Sequence, residues 1–165
     1  MEYIIEIDLE EEKKAYMKVS EDQKRKLVIV NRERFLELWK GDPNFTELSH
    51  GDREVWEKDR KYQDAAEGFS LGIRNPVPPA NVTMLSREVI TPIYGKSFFF
   101  FKKILYNKKE EIEYLAINNG ITRTIWLLSK GAKCIPLIDD DGKSRDNLRK
   151  FSECKLKQGY QFISI

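Results

Sequence analysis

Asn118-Asn119-Gly120-Ile121-Thr122-Arg123-Thr124-Ile125-Trp126-Leu127-Leu128-Ser129-Lys130-Gly131, followed after two residues by Cys134-Ile135-Pro136-Leu137-Ile138, is the stretch that decides the fold. Ile112 to Ile117 predicts a strand running into Asn118-Asn119-Gly120. Thr122 to Lys130 predicts a compact helix closed by Gly131, and Cys134 to Ile138 a short core strand. The order is strand, glycine turn, helix, strand.

A helix that starts directly after such a turn presents unpaired backbone N–H groups and the positive end of its dipole. Gly120 lets an anion approach the backbone closely, and Arg123 can make a bidentate contact to phosphate or carboxylate. Thr122 and Thr124 add hydroxyls. Asn119, Gly120, Thr122, Arg123 and Thr124 are therefore candidate phosphate-binding residues. A plainer reading weighs equally: Asn119 and Gly120 make a turn, Thr122 caps the helix and Arg123 pairs with a nearby carboxylate.

Working outward, the segment Ile73-Arg74-Asn75-Pro76-Val77-Pro78-Pro79 cannot be a regular helix, because each proline fixes its own φ and excludes its predecessor from the α region. Arg74 and Asn75 precede this extended piece and are expected to line the same cleft as Arg123. Residues 52–67 read as an unusually polar helix anchored by Trp56 and Tyr62, with Gly68 as its cap. Val82 to Leu85 and Val89 to Tyr94 predict short strands, the second pushed towards an edge by Pro92. Ser97 to Tyr106 predicts a further strand. Its Phe98 to Phe101 could stack on single-stranded nucleic acid, but a central strand buried on both faces is the stronger reading. Tyr3 to Leu9 and Lys26 to Val30 predict strands, with Glu10 to Lys14 between them a turn or exposed edge. Arg32 to Lys40 predicts a helix capped by Asn31, Ser144 to Phe151 a last helix, and Tyr160 to Ile165 a final strand.

The 165 residues fit one domain with a proper core. A net charge of +2, from 29 basic and 27 acidic residues, argues against nucleic-acid binding by bulk field. No apolar run reaches the ~18 residues of a membrane span, and the first residues lack a basic leader, so a cytoplasmic location is expected. On that ground Cys134 and Cys154 are expected as reduced thiols. His50 is the only histidine, and no metal-ligand spacing exists, so no metal site is predicted. Asp139-Asp140-Asp141-Gly142 reads as a turn rather than a cation loop. The carboxylates to consider near the anion site are Glu113, then Asp59, Asp64 and Glu67.

The run from Asn119 to Leu128, with Gly131 and Ile135-Pro136, resembles the ParB/sulfiredoxin superfamily. With Trp56, Asp59, Tyr62, Ala65, Gly68-Phe69-Ser70 and Asn75-Pro76-Val77-Pro78 added, the chain resembles the plasmid fertility inhibition factor family more narrowly, over about half its length. The resemblance implies an α/β (α+β) fold with a mixed sheet and short helices, with residues 56–138 as the ParB/sulfiredoxin-like core, 1–55 as an N-terminal strand–strand–helix extension and 139–165 as a C-terminal helix and strand. It also implies a protein of a plasmid or mobile element that blocks conjugative, type IV secretion-dependent DNA transfer. Nucleotide or DNA and transfer-machinery proteins are the implied partners, ATPase and DNase activity the implied chemistry, and ATP with Mg²⁺ the implied cofactors. Ile121 stands where sulfiredoxins carry their reactive cysteine, so that reductase chemistry is not expected. Thr122 stands where ParB proteins often carry a basic residue, which weighs against hydrolysis. The rival reading is a non-catalytic inhibitor or immunity protein that occludes a protein partner.

Overall fold

A computed structural model describes residues 2–95, 103–142, 148, 154 and 159–163. In chain order the elements are β1 (Glu2–Asp8), β2 (Lys14–Ser20), α1 (Glu21–Lys24), β3 (Leu27–Asn31), α2 (Arg32–Trp39), α3 (Thr46–Ser49), α4 (Arg53–Glu57) and α5 (Tyr62–Ser70). They continue with β4 (Ala80–Gly95), β5 (Lys103–Asn119), α6 (Ile121–Ser129), β6 (Cys134–Asp139) and β7 (Tyr160–Ile163). The fold is mixed α+β. A mixed four-stranded sheet, ordered β3-β6-β4-β5, stands beside a three-stranded antiparallel sheet ordered β2-β1-β7. In the larger sheet β6 runs parallel to β4 and antiparallel to β3.

Both ends of the chain are woven into this framework. Leu27–Asn31 pairs along β6, and the C-terminal Tyr160–Ile163 pairs along β1. One hydrophobic cluster runs from Ile5 through Phe35, Trp39 and Leu115 to Ile135, Leu137 and Tyr160. All six residues of β6 are buried, as expected of a strand paired on both edges and covered on both faces.

The hairpin joining β1 to β2 turns through Glu11 and Glu12, both at positive φ (56° and 58°), with Lys13 N–H donating to the Glu10 carbonyl. Asn-Gly is the usual signature of such a turn. Its absence hides β2 from sequence reading, although Ala15, Met17 and Val19 alternate inward as a half-buried strand should.

Several expectations are corrected. The polar helix expected over 52–67 is two helices, α4 and α5, because the Asp59 carboxylate accepts the Lys61 N–H and makes a turn between them. The expected strands at 82–85 and 89–94 are one strand, β4, and Ile112 to Ile117 belongs to the 17-residue β5. Pro92 is tolerated because β4 beyond Val82 has only β5 as a partner, so its other edge requires no N–H. Residues 97–102, including Phe98 to Phe101, lie outside the described residues, as does the helix expected at 144–151 except for Leu148. Cys134 and Cys154, expected as reduced thiols, form a disulfide. The fold brings their Cα atoms to 6.0 Å, a proximity that a separation of 20 residues does not announce.

Candidate functional site

β5 ends in a bulge at Asn118, the extra residue between the Asn81–Asn119 and Val82–Ile117 pairs. The bulged amide is tied down on two sides, donating to Thr83 Oγ1 (2.9 Å) and to the Asp140 carboxylate (2.7 Å). Asp140 also accepts from Asn81 (2.6 Å), so the turn Asp139 to Gly142 serves as a clamp on the strand ends. Among the described residues no group of three His, Cys, Asp or Glu is placed to hold a metal ion.

Gly120 follows at φ 90°, a left-handed conformation. A Cβ there would come within 2.9 Å of Ala80 Cα and 2.6 Å of Arg123 Nη2. Only glycine satisfies both the conformation and the space. Gly120 is the N-cap of α6, and no side chain caps the first helical turn. Of the plainer reading the Gly120 turn is present, but Thr122 is not the cap, and no ion pair to Arg123 is formed among the described residues.

Arg123 is half-buried, and burial lowers its pKa below the usual arginine value. Among the described residues its one hydrogen bond is a long one from Nη2 to the Pro79 carbonyl (3.4 Å), and its buried Nε has no partner. A half-buried guanidinium with no counter-charge among the described residues is an arrangement that an anion would stabilise.

A cleft of about 300 Å³ opens at this helix end. Thr122 and Arg123 line it from α6, Lys61, Asp64, Ala65 and Gly68 from the N-terminal part of α5 and the residue before it, and Val77 and Pro78 from the extended segment. Helix α5 is held by Tyr62, whose hydroxyl meets Ser129 Oγ (2.5 Å), and by Phe69, stacked on Trp126 at 4.1 Å between centroids. The extended wall is fixed through Val77, which exchanges backbone hydrogen bonds with Tyr16 and Lys18 of β2. Trp56 is buried and donates from Nε1 to the Leu48 carbonyl.

The fold thus brings Thr122 and Arg123 to one cleft, while Gly120, outside its lining, makes the turn just before them. Thr124 is 1% exposed and its hydroxyl donates to the Gly120 carbonyl, so it braces the turn from inside. Asn119 is exposed at the end of β5, paired with Asn81. Arg74 and Asn75 are exposed and do not line the cleft. Of the carboxylates, Asp64 lines it, Asp59 is occupied with the Lys61 N–H, Glu67 lies outside it, and Glu113 sits opposite Ser86 on β5. Lys61 is the cleft residue that sequence reading missed. Its signal was the stripe Lys61, Asp64, Ala65 and Gly68, spaced as one helical face.

No helix among the described residues is long and apolar enough to cross a membrane. No curated protein matches the chain. Among solved structures, the crystal structure of Oncogenic Suppression Activity Protein, a plasmid fertility inhibition factor studied as a gold(I) cyanide derivative, is similar in fold. The TM-score is 0.65 at 22% identity, covering 93% of this chain and 71% of that one. The family model described as Plasmid Fertility inhibition factor matches residues 27–151, well over half of the chain. The chain belongs to the plasmid fertility inhibition factor family.

Proposed function

We propose that this chain limits conjugative DNA transfer, as its family name describes, and that it does so while holding a phosphate of a nucleotide or of DNA at the Gly120 turn. The observation that carries the second part is Arg123: a half-buried guanidinium with no ion-pair partner among the described residues, at an uncapped helix N-terminus. In this reading Arg123 is the charge partner of the phosphate, the N–H groups of the first turn of α6 donate to it, and the Thr122 hydroxyl assists. Lys61 at the opposite wall adds a second positive charge. Asn119, Arg74 and Asn75 act only at the periphery, where a longer ligand would reach them.

Magnesium fits this cleft in one form. The cleft offers a single carboxylate, Asp64, so Mg²⁺ would arrive bound to the phosphates of ATP. It would supply charge neutralisation there. Asp64 would orient it, and the turn and Arg123 would hold the phosphate. ATPase and DNase activity belong to the same proposal as its chemical extension.

The test is calorimetric titration of the purified protein with ATP and Mg²⁺, in parallel with a short single-stranded DNA. Binding that vanishes in Arg123→Ala, together with loss of transfer inhibition in a conjugation assay, is expected. Binding unaffected by that substitution would falsify the site. A second reading, occlusion of a transfer-machinery protein without catalysis, draws support from the cleft lining, which carries neither histidine nor cysteine. Full inhibition by Arg123→Ala with no ligand bound would favour it.

A further inference from the structure

Beyond Val82, β4 leaves its pairing with β6 and continues with β5 as a two-stranded ribbon to Gly95 and Lys103. At ~3.3 Å per residue this arm reaches roughly 40 Å from the sheet. Isolated two-stranded ribbons are marginal in water. This one exposes Ile90, Tyr94, Ile104, Leu105 and Tyr106, each more than half exposed.

Its two edges differ. The β4 edge carries Pro92, which lacks an N–H and blunts strand addition. The β5 edge, last in the sheet order, has neither proline nor glycine from Lys103 to Asn119. Near the body that edge is covered, since Gly41 presses against Tyr114 so tightly that a Cβ would lie 2.5 Å from it. From Tyr106 to Ile112 no described strand pairs with it.

The charge order along this edge is Lys108, Lys109, Glu110, Glu111. The geometry points to a second copy of this chain as the occupant of the edge, in an antiparallel two-fold pairing centred on Lys109. In that register Lys108 lies opposite Glu110 of the second copy and Glu110 opposite its Lys108, so the ion pair forms twice. Tyr106 lies opposite Ile112, also twice, and Asn107 opposite Glu111. Lys108 and Glu110 already pair within each chain (2.6 Å), so the two copies exchange these partners across the seam. Lys109 meets its own equivalent at the axis, on the other face, where Glu88 of the same chain already holds each one (3.1 Å).

Charges on an edge strand ordinarily prevent pairing. Here the two halves of the run have opposite sign, so they oppose parallel pairing and admit the antiparallel one. The result is a continuous β4-β5-β5-β4 sheet with about seven new backbone hydrogen bonds and the two bodies at opposite ends.

The test is sedimentation equilibrium of the full chain over a wide concentration range, with amide hydrogen exchange at residues 106–112. The expected result is a concentration-dependent dimer with protected edge amides. Lys108→Glu and Glu110→Lys should each weaken it about tenfold or more, and the double exchange K108E/E110K should restore it. Both positions are exposed, so circular dichroism of each variant should match the parent. Three results overturn the proposal: a monomer at several hundred micromolar, a dimer indifferent to both single changes, or a double variant as weak as the singles.

Discussion

The two ends of helix α6 are built on opposite plans. At the C-terminal end the carbonyls of Leu127, Leu128 and Lys130 are each given a donor. Ala132 N–H reaches the Leu127 carbonyl (3.0 Å) and Gly131 N–H the Leu128 carbonyl (3.2 Å), the paired bonds of a Schellman motif, with Gly131 at φ 76°. Arg32 adds a charge-assisted bond from Nη1 to the Leu128 carbonyl (2.7 Å) while its guanidinium lies 5.8 Å from the Trp56 ring centroid. Glu10 N–H donates to the Lys130 carbonyl, and Lys130 pairs with Glu57. At the N-terminal end no side chain caps the helix, and Arg123 has no counter-charge among the described residues. Two arginines of comparable burial are both shifted down in pKa by desolvation. One is compensated by carbonyls; the other has no counter-charge among the described residues, and on the proposed function a phosphate would supply it.

This contrast can be broken or sharpened by substitution. The largest effect is expected at the hinge between the two plans: Gly120→Ala forces a left-handed residue and sets a Cβ against Ala80, costing about 3 kcal/mol or more in urea unfolding. A cost under about 1 kcal/mol would mean the turn relaxes freely. Next comes the closed end. Arg32→Ala removes its charge-assisted bonds to the Leu128 and Ala132 carbonyls and should cost about 2 kcal/mol. Tyr62→Phe deletes the buried bond to Ser129 and should cost about 1 kcal/mol by the same measurement. The smallest effect belongs to the open end. Arg123→Met keeps the apolar stem and removes an uncompensated charge, so stability should hold or rise by up to about 1 kcal/mol. Inorganic phosphate should raise the melting temperature of the parent and not of Arg123→Met. If Arg123→Met destabilises as much as Arg32→Ala, the two ends are alike and the contrast collapses.

How legible was this in the chain? The strand–turn–helix–strand order was readable from Gly120, Gly131 and the apolar run between them, since turn chemistry and helical spacing are local properties. Hidden were features that depend on what lies opposite. The Glu11–Glu12 turn looks like a charged loop, because residues of that type adopt positive φ only when flanking strands enforce it. The long ribbon looked like separate strands, because Pro92 and the Lys108–Glu111 run are breakers in isolation and become acceptable once cross-strand pairs such as Glu88–Lys109 exist. Arg74 and Asn75 are near the cleft in sequence but exposed in space, whereas Lys61 is distant in sequence and lines it.

By itself the sequence determined that a glycine turn would feed a helix beginning with Thr122 and Arg123, because one residue's freedom of φ and a 3.6-residue period need no partner. Only the tertiary structure decided whether Arg123 would meet a carboxylate, whether Thr124 would face out or in, and that Cys134 would find Cys154. Those outcomes depend on distances between segments far apart in the chain, and local spacing carries no information about them.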